Sequence, residues 1–347
     1  MHELASLIRK IAQRIEETES KRVRLARFVN GLGPVMEIKR NISPSLLDDL
    51  KVAAVDGGLV KKSLHGMDCM LVRAAGVCFH YRKGKVSDVK YFPSRNPTPR
   101  PEIYESLSEV EWNQFAGLNR LQEEISTAIK CLEAFKPDVL LLDGMILPHY
   151  LDRPSRSSPL FPLYDSLMKA YRLLFEKSIK QKTALAGVIE DSRNIVFCDY
   201  LCSKVLSRVD HKAIPEIEKL LKKTRDSNLL YLILEKGERT LSFPLQNPQA
   251  LNFDLPPVKT FYLKTARFDR PLKIDYLPQT ILEDPLSSIL LAISGQHSGY
   301  GLPVPLIEAD NVAKLSEMEM ESFYSSIISL AGRGASTMKL RREQRPF

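Results

Sequence analysis

The stretch "KVAAVDGGLV", Lys51 to Val60, decides how the chain is read. Val52 to Val55 is a short apolar run with β-branched residues at both ends, the pattern of a buried strand. It stops on Asp56 and two glycines. An ionisable carboxyl at the edge of such a strand is costly unless something pairs with it. "PDVLLLDGMILP" repeats the arrangement, carrying Val139 to Leu142 into Asp143–Gly144. One Asp–Gly after a strand reads as a turn; two suggest carboxylates that share a cation.

Working outward, Leu4, Ile8, Ile11 and Ile15 recur at helical spacing, so residues 1–30 read as an amphipathic helix with a basic face. A solvated face on a docking or dimerising helix is preferred there to direct DNA contact. After strand 51–56, "CMLVRAAGVCFHYRKGKVSDVKYFPS" reads as two antiparallel strands turning at Lys83–Gly84. The proline-rich "FPSRNPTPRPE" can be neither helix nor inner strand. A helix over 103–135, strand 138–143, helix 164–181 and strand 183–189 follow. The order β-β-β-α-β-α-β predicts an α/β fold, a mixed sheet flanked by helices. In it the first and fourth strands lie parallel and adjacent, with Asp56 and Asp143 both at carboxyl ends, where α/β sheets place their sites. A domain over 50–330 and a basic tail over 331–347 complete the division.

At 347 residues, with 44% hydrophobic and 27% charged content, the composition is that of an ordinary globular protein. A net charge of +8 suits a polyanionic partner or simply a basic protein, without deciding between them. Five cysteines with no CxxC pair read as free thiols. The start, "MHELASLIRKIAQRIEE", is too charged for a signal peptide, and no apolar run reaches transmembrane length. The expectation is a cytoplasmic protein without a membrane partner.

Two further acids join the pair. Leu118, Leu121, Ile125, Ala128, Ile129 and Leu132 mark the buried face of helix 103–135. At 100° per residue Glu124 lies on the flank of that face and reaches the sheet edge, while Glu123 points to solvent. Asp226 opens the helical stretch "DSNLLYLILEKGERT", where capping is the preferred reading of a lone Asp. Oxygen acids without His/Cys ligand spacing suit Mg²⁺ or Mn²⁺, and two such ions can clamp both oxygens of a phosphodiester under attack. The glycines after Asp56 would keep the turn bare for a phosphate.

Carboxylates on the first strand, first helix, fourth strand and a later helix are the pattern of the ribonuclease H-like fold. Within it the chain resembles the NurA nuclease family, through "AAVDGG", "RLQEEISTAI" before "LLLDG", "AGVIEDSRN", "DSNLLYLILEKGERT" and "GYGLPVPLIEADNVAKLS". The resemblance covers roughly residues 50 to 325. It implies a Mn²⁺-dependent nuclease (Mg²⁺ the alternative) that degrades DNA from 5′ ends, on single strands and at duplex ends. It further implies a homodimer stacked on a hexameric HerA-type helicase in DNA-end resection. On this resemblance Asp56, Glu124, Asp143 and Asp226 fall on the family's acidic positions. Glu190 stands where many relatives carry Lys, and Asp310 where many carry His. Asp310 is expected near a helix start, as a metal ligand or as a cap.

"KTFYLKTARFDRPLKIDY" interleaves Lys264, Arg267, Arg270 and Lys273 with Phe261, Tyr262, Phe268 and Tyr276. Cations for phosphates with rings for bases would make a single-strand groove; an amphipathic strand pair with its rings in the core is the alternative. Arg153 and Arg156, following Asp143, are further candidates for phosphate contact. Trp112 reads as core, and "PLSSILLAISGQHSGYGLP" as core or a helicase-facing patch. Two other functions remain in view. An actin- or sugar-kinase-like ATPase also has Asp and glycines after its first strand, but no second Gly-rich phosphate loop appears among the 16 glycines. A non-catalytic DNA-binding subunit would have no need of all four acids.

Overall fold

The computed structural model describes residues 2–32, 37–64, 67–105, 107–149, 152–208, 212–245 and 253–331. His65 and all but the first residue of the basic tail lie outside the described residues. The chain opens with α1 (His2–Gly31) and a short β1 (Lys39–Asn41). Three long antiparallel strands follow: β2 (Leu50–Ser63), β3 (Asp68–Arg82) and β4 (Lys85–Phe92). The β3–β4 turn is the expected one. Lys83 and Gly84 have φ of 49° and 74°, both left-handed, as the tightest hairpins require.

The proline-rich segment contains β5 (Arg100–Tyr104), which pairs along β3 at the sheet margin, where Pro101 needs no partner for a missing N–H. This strand takes residues 103 and 104, so α2 (Glu109–Phe135) starts six residues later than its apolar pattern suggested. Ser108 fixes that start: its Oγ accepts from the Glu111 amide, and the Glu111 carboxylate accepts from the Ser108 amide. Then come β6 (Val139–Asp143), α3 (Phe161–Gln181) and β7 (Ala184–Ile189). The anticipated β-β-β-α-β-α-β core is present, with β5 added.

The later chain supplies α4 (Val196–Tyr200), α5 (Ile214–Leu221), α6 (Asp226–Ile233), β8 (Glu238–Thr240) and β9 (Phe243–Pro244). It closes with β10 (Lys259–Leu263), β11 (Leu272–Tyr276), α7 (Glu283–Ala292), α8 (Val304–Ala313) and α9 (Glu317–Ala331). The sheet runs β1-β8-β10-β11-β7-β6-β2-β3-β4, mixed and flanked by helices. Its parallel centre is β2–β6–β7.

Along β2 the faces alternate: Ala53 and Val55 enter the core beneath α2 and α3, while Val52 and Ala54 enter the one beneath α7 and α8. Both faces are covered, which is why the run reads as continuously apolar. Trp112 is buried. The 285–303 stretch is core: Leu286, Leu290 and Ile293 of α7 and its end are buried against the sheet. The amino-terminal half of α1 leaves Leu7, Ile8, Ile11 and Ile15 exposed, while Leu25, Ala26 and Val29 near its end are buried.

Candidate active site: a cluster of carboxylates

Asp56 does not end its strand. β2 continues to Ser63, paired with β3 throughout, whereas its parallel pairing with β6 stops at Val55↔Leu142. That register, continued by one residue, sets Asp56 beside Asp143, the last residue of β6. Neighbouring strands lie about 4.8 Å apart. The pair therefore stands at the carboxyl edge of the parallel centre, as expected, but through a change of strand partner rather than a turn.

The two glycines answer a different need. A Cβ on Gly57 would come within 3.2 Å of Arg120 Cγ and Glu124 Oε2, and one on Gly58 would collide with the Ala313 carbonyl at the end of α8. They let one helix pack on each face of β2. The bare turn for a phosphate is not there. Gly144 does occupy a turn, with φ of 97°.

Glu124 is 2% exposed and faces the strands. Glu123 instead lies 3.4 Å from Arg100 Nε at the surface, so the helical geometry separated the two glutamates correctly. Arg120, one turn earlier, donates from Nη1 to Glu124 Oε2 at 3.0 Å and to the Gly57 carbonyl at 3.3 Å.

Asp310 is the seventh residue of α8, well past the helix start, so the capping alternative falls away. The helix begins at Val304, directly after Pro303, earlier than anticipated. The Asp310 carboxylate, at an exposed position, is near enough to Asp56 to help raise that group.

Burial and mutual repulsion raise Asp56, Glu124 and Asp143. Glu124 is pushed up to about 8, by burial first and then by Asp56 and Asp143 against the pull of Arg120. Asp143 reaches about 7, through burial, then Asp56 and Glu190, with Asp310 adding to them. Asp56 is raised by burial, opposed by the Gly57 amide at 2.6 Å. Arg120 is the cation that acts on all three.

Glu190, directly after β7, belongs to the same field: burial raises it, Asp310 adds to that, and Tyr300 Oη donates to it at 3.2 Å. The sequence had shown Glu190 only as a departure from a family pattern. Its place immediately after a strand beside β6 was the signal, the same one that singled out Asp56 and Asp143. Arg120 was also missed, although the i, i+4 spacing to Glu124 announces such a pair.

Asp226 is not with the cluster. Its carboxylate accepts from the Phe197 and Cys198 amides at 2.9 and 3.0 Å and from Tyr262 Oη at 2.6 Å. It is a cap, as its residue type suggested, but for α4 rather than for the helix it begins. A fully buried carboxylate with three donors is already satisfied.

The basic and aromatic strand pair also departs from expectation. Phe261, Tyr262 and Tyr276 are fully buried in the core, and of the four rings Phe268 is the exposed one, with Arg267 beside it. Lys264 is buried, donating to the Tyr231 carbonyl at 2.9 Å. Lys273 is buried and paired with Asp275, yet lines the cleft beside Asp143. Arg270 is exposed and pairs with Asp191 at 2.9 Å. Arg153 is half-buried near Tyr164, and Arg156 is exposed.

That cleft, about 390 Å³, runs from Arg120 and Asp143 past His149 and Asp152 to Ser192 and Arg193. Among the described residues, no three His, Cys, Asp or Glu side chains stand close enough to ligate one ion as they are placed. The donor set nevertheless suits a hard cation. All its donors are carboxylate oxygens, and the Arg120 guanidinium is the cation now set among them.

Comparison with known proteins agrees with this architecture. The NurA domain model matches residues 50–315. The NurA nuclease from Sulfolobus solfataricus superposes with a TM-score of 0.64 at 17% identity, over 96% of this chain and 98% of that one. A NurA structure with manganese gives 0.54 at 10% identity, over 95% and 99%. One bound to dAMP and manganese gives 0.52 at 11%, over 97% and 98%. No curated protein matches the chain.

Proposed function

The chain belongs to the NurA family, and we propose that its carboxylate cluster is the metal centre of a DNA nuclease. One observation carries this reading: Asp56, Glu124, Asp143 and Asp310, from four separate elements, converge electrostatically at the carboxyl edge of the parallel strands. Such a concentration of acids around the buried Asp56 and Glu124 is costly in a fold unless a cation repays it.

Asp56, Glu124, Asp143 and Asp310 would hold Mn²⁺, or Mg²⁺ in its place, with Glu190 at the margin; manganese is the metal that related NurA structures contain. Such an ion supplies Lewis-acid stabilisation of charge on a phosphodiester and lowers the pKa of water. Arg120 keeps Glu124 turned towards β2 and neutralises part of the cluster while no strand is bound. In the metal-free protein Asp143 is lifted to about 7 by burial first and then by Asp56 and Glu190, and a cation held there would take the place of its proton. Arg193 and Arg270 lie along or beside the cleft, where they would meet the phosphates of a strand, while Lys273 stays buried on Asp275. Arg153, Arg156 and Arg267 are peripheral on this reading.

Family membership supports the finer assignments: a 5′-to-3′ exonuclease with single-strand endonuclease activity, acting in DNA-end resection with a HerA-type hexameric helicase. A homodimer is part of the same reading, and the exposed apolar stripe on α1 suits a protein contact. A cytoplasmic location accords with the free cysteines, and among the described residues no helix is long and apolar enough to cross a membrane. Incubating the protein with 5′- and 3′-labelled single strands and duplexes, in Mn²⁺, Mg²⁺ or EDTA, tests activity and polarity together. Cleavage in Mn²⁺ that EDTA abolishes is expected; strands left intact under every condition would refute the nuclease reading.

A further inference from the structure

Beside the cleft lies a larger cavity, about 900 Å³, which no step above uses. The two share Met145, Leu147, Pro148, His149, Arg193 and Asn194, so they form one continuous surface. Its walls are apolar: Leu147 and Phe243 are buried, and Ile195, Val196 and Tyr200 are half-buried. Tyr200 leans on Phe243 with ring centroids 4.8 Å apart and planes 55° apart, presenting aromatic surface to the space. The charge on the lining is one-sided. Arg193, Lys204 and Arg225 face a single acid, Asp199.

Resting on the nuclease reading, we propose that this cavity is a nucleobase subsite, taking an unpaired nucleotide of the strand whose phosphate lies at the carboxylates. Apolar and aromatic walls with cations on one side are what a flat base attached to a phosphodiester requires, and stacking on a ring makes no demand on base identity. The volume falls in the range of sites for single small molecules, about 300–1,000 Å³. A duplex cannot enter it. The substrate end must therefore be single-stranded, or fray, before its phosphate reaches Asp143. Arg225, whose Nη1 donates to the Arg193 carbonyl at 2.9 Å, ties the two basic loops into one rim for the phosphates that flank the base.

The test uses the full-length protein and a fluorescein-labelled oligothymidylate. Affinity is read by anisotropy in EDTA and, in parallel, as KM for cleavage in Mn²⁺. Tyr200→Ala is expected to weaken the strand about tenfold, within the range for one stacked base, and Tyr200→Phe to restore it. Single abasic residues are then placed at each position in turn. One position should cost the wild type about tenfold and Tyr200→Ala nothing. Ser203→Trp, at an exposed lining position, should block the cavity and weaken binding without touching the Tyr200–Phe243 contact. A wild type that cleaves in Mn²⁺, while Tyr200→Ala and Ser203→Trp bind normally and suffer the same abasic penalties, overturns the subsite alone. A wild type that neither binds nor cleaves overturns the nuclease reading and the subsite with it.

Discussion

Replacing Glu124 by Gln should make the metal-free protein more stable, and the gain should depend on pH. Glu124 is buried on α2 and lifted from an ordinary 4.5 to about 8, burial being the main cause. The fold therefore holds a proton that the unfolded chain releases above its ordinary carboxyl range. A state that holds the extra proton is favoured at low pH, so metal-free stability must fall as pH rises from about 4.5 and level off near 8. Each pH unit in that interval corresponds to about 1.4 kcal/mol, so at pH 7 the wild type forgoes on the order of 3 kcal/mol. Gln has the shape of the protonated side chain and can still accept from Arg120. The variant should melt roughly 3–6 °C higher than wild type in EDTA at pH 7, for a chain of this size.

Thermal melts in EDTA from pH 5 to 9 give the answer. The two proteins should converge at pH 5 and separate as pH rises. A residual slope up to about pH 7 should persist in the variant, because Asp143 is also raised. Added Mn²⁺ should stabilise the wild type and do little for Glu124→Gln. Parallel pH profiles for the two would refute the argument, since they would mean that Glu124 is not a proton-holding member of the cluster.

Asp56→Asn and Asp143→Asn should each abolish Mn²⁺-dependent cleavage of a labelled strand while the protein still melts cooperatively. Asp226→Asn should do the reverse. It exchanges a carboxylate that accepts three hydrogen bonds for a neutral amide, which costs about 1–3 kcal/mol in denaturant unfolding and leaves the activity of the folded fraction intact. Asp310→Asn should keep the wild-type melting temperature within about 1 °C, as expected at an exposed helix position, and lower cleavage in a way that a Mn²⁺ titration partly restores. Gly58→Ala should destabilise by about 1–3 kcal/mol, since its methyl meets the α8 backbone, and should weaken Mn²⁺ binding because Asp310 moves with that helix.

Much of this was legible in the residues. Alternation, turn residues and apolar faces are local signals, and they marked the strand and helix order, the Lys83–Gly84 hairpin and the inward flank of α2 that carries Glu124. The apolar runs ending in Asp56 and Asp143 marked two of the acids, because a charge at the edge of a buried strand has few explanations. What local signals leave open is which neighbour each group meets. Asp226 and Glu124 are both acids on helices, yet one meets the amides of α4 and the other meets Asp56 and Asp143. Gly57 and Gly58 looked like a turn, whereas packing a helix on each face of β2 requires them inside a strand. Phe261, Tyr262 and Tyr276 alternate with cations along the chain, but both faces of the sheet are covered there, so Phe261 and Tyr276 are buried on one face and Tyr262 on the other. Asp310 joined the cluster through the place where α8 crosses β2, a contact between positions some 250 residues apart. Periodicity along the chain reports which side of an element is apolar; only packing decides what lies opposite, and the pKa values and the cavity beside the cleft depend on that.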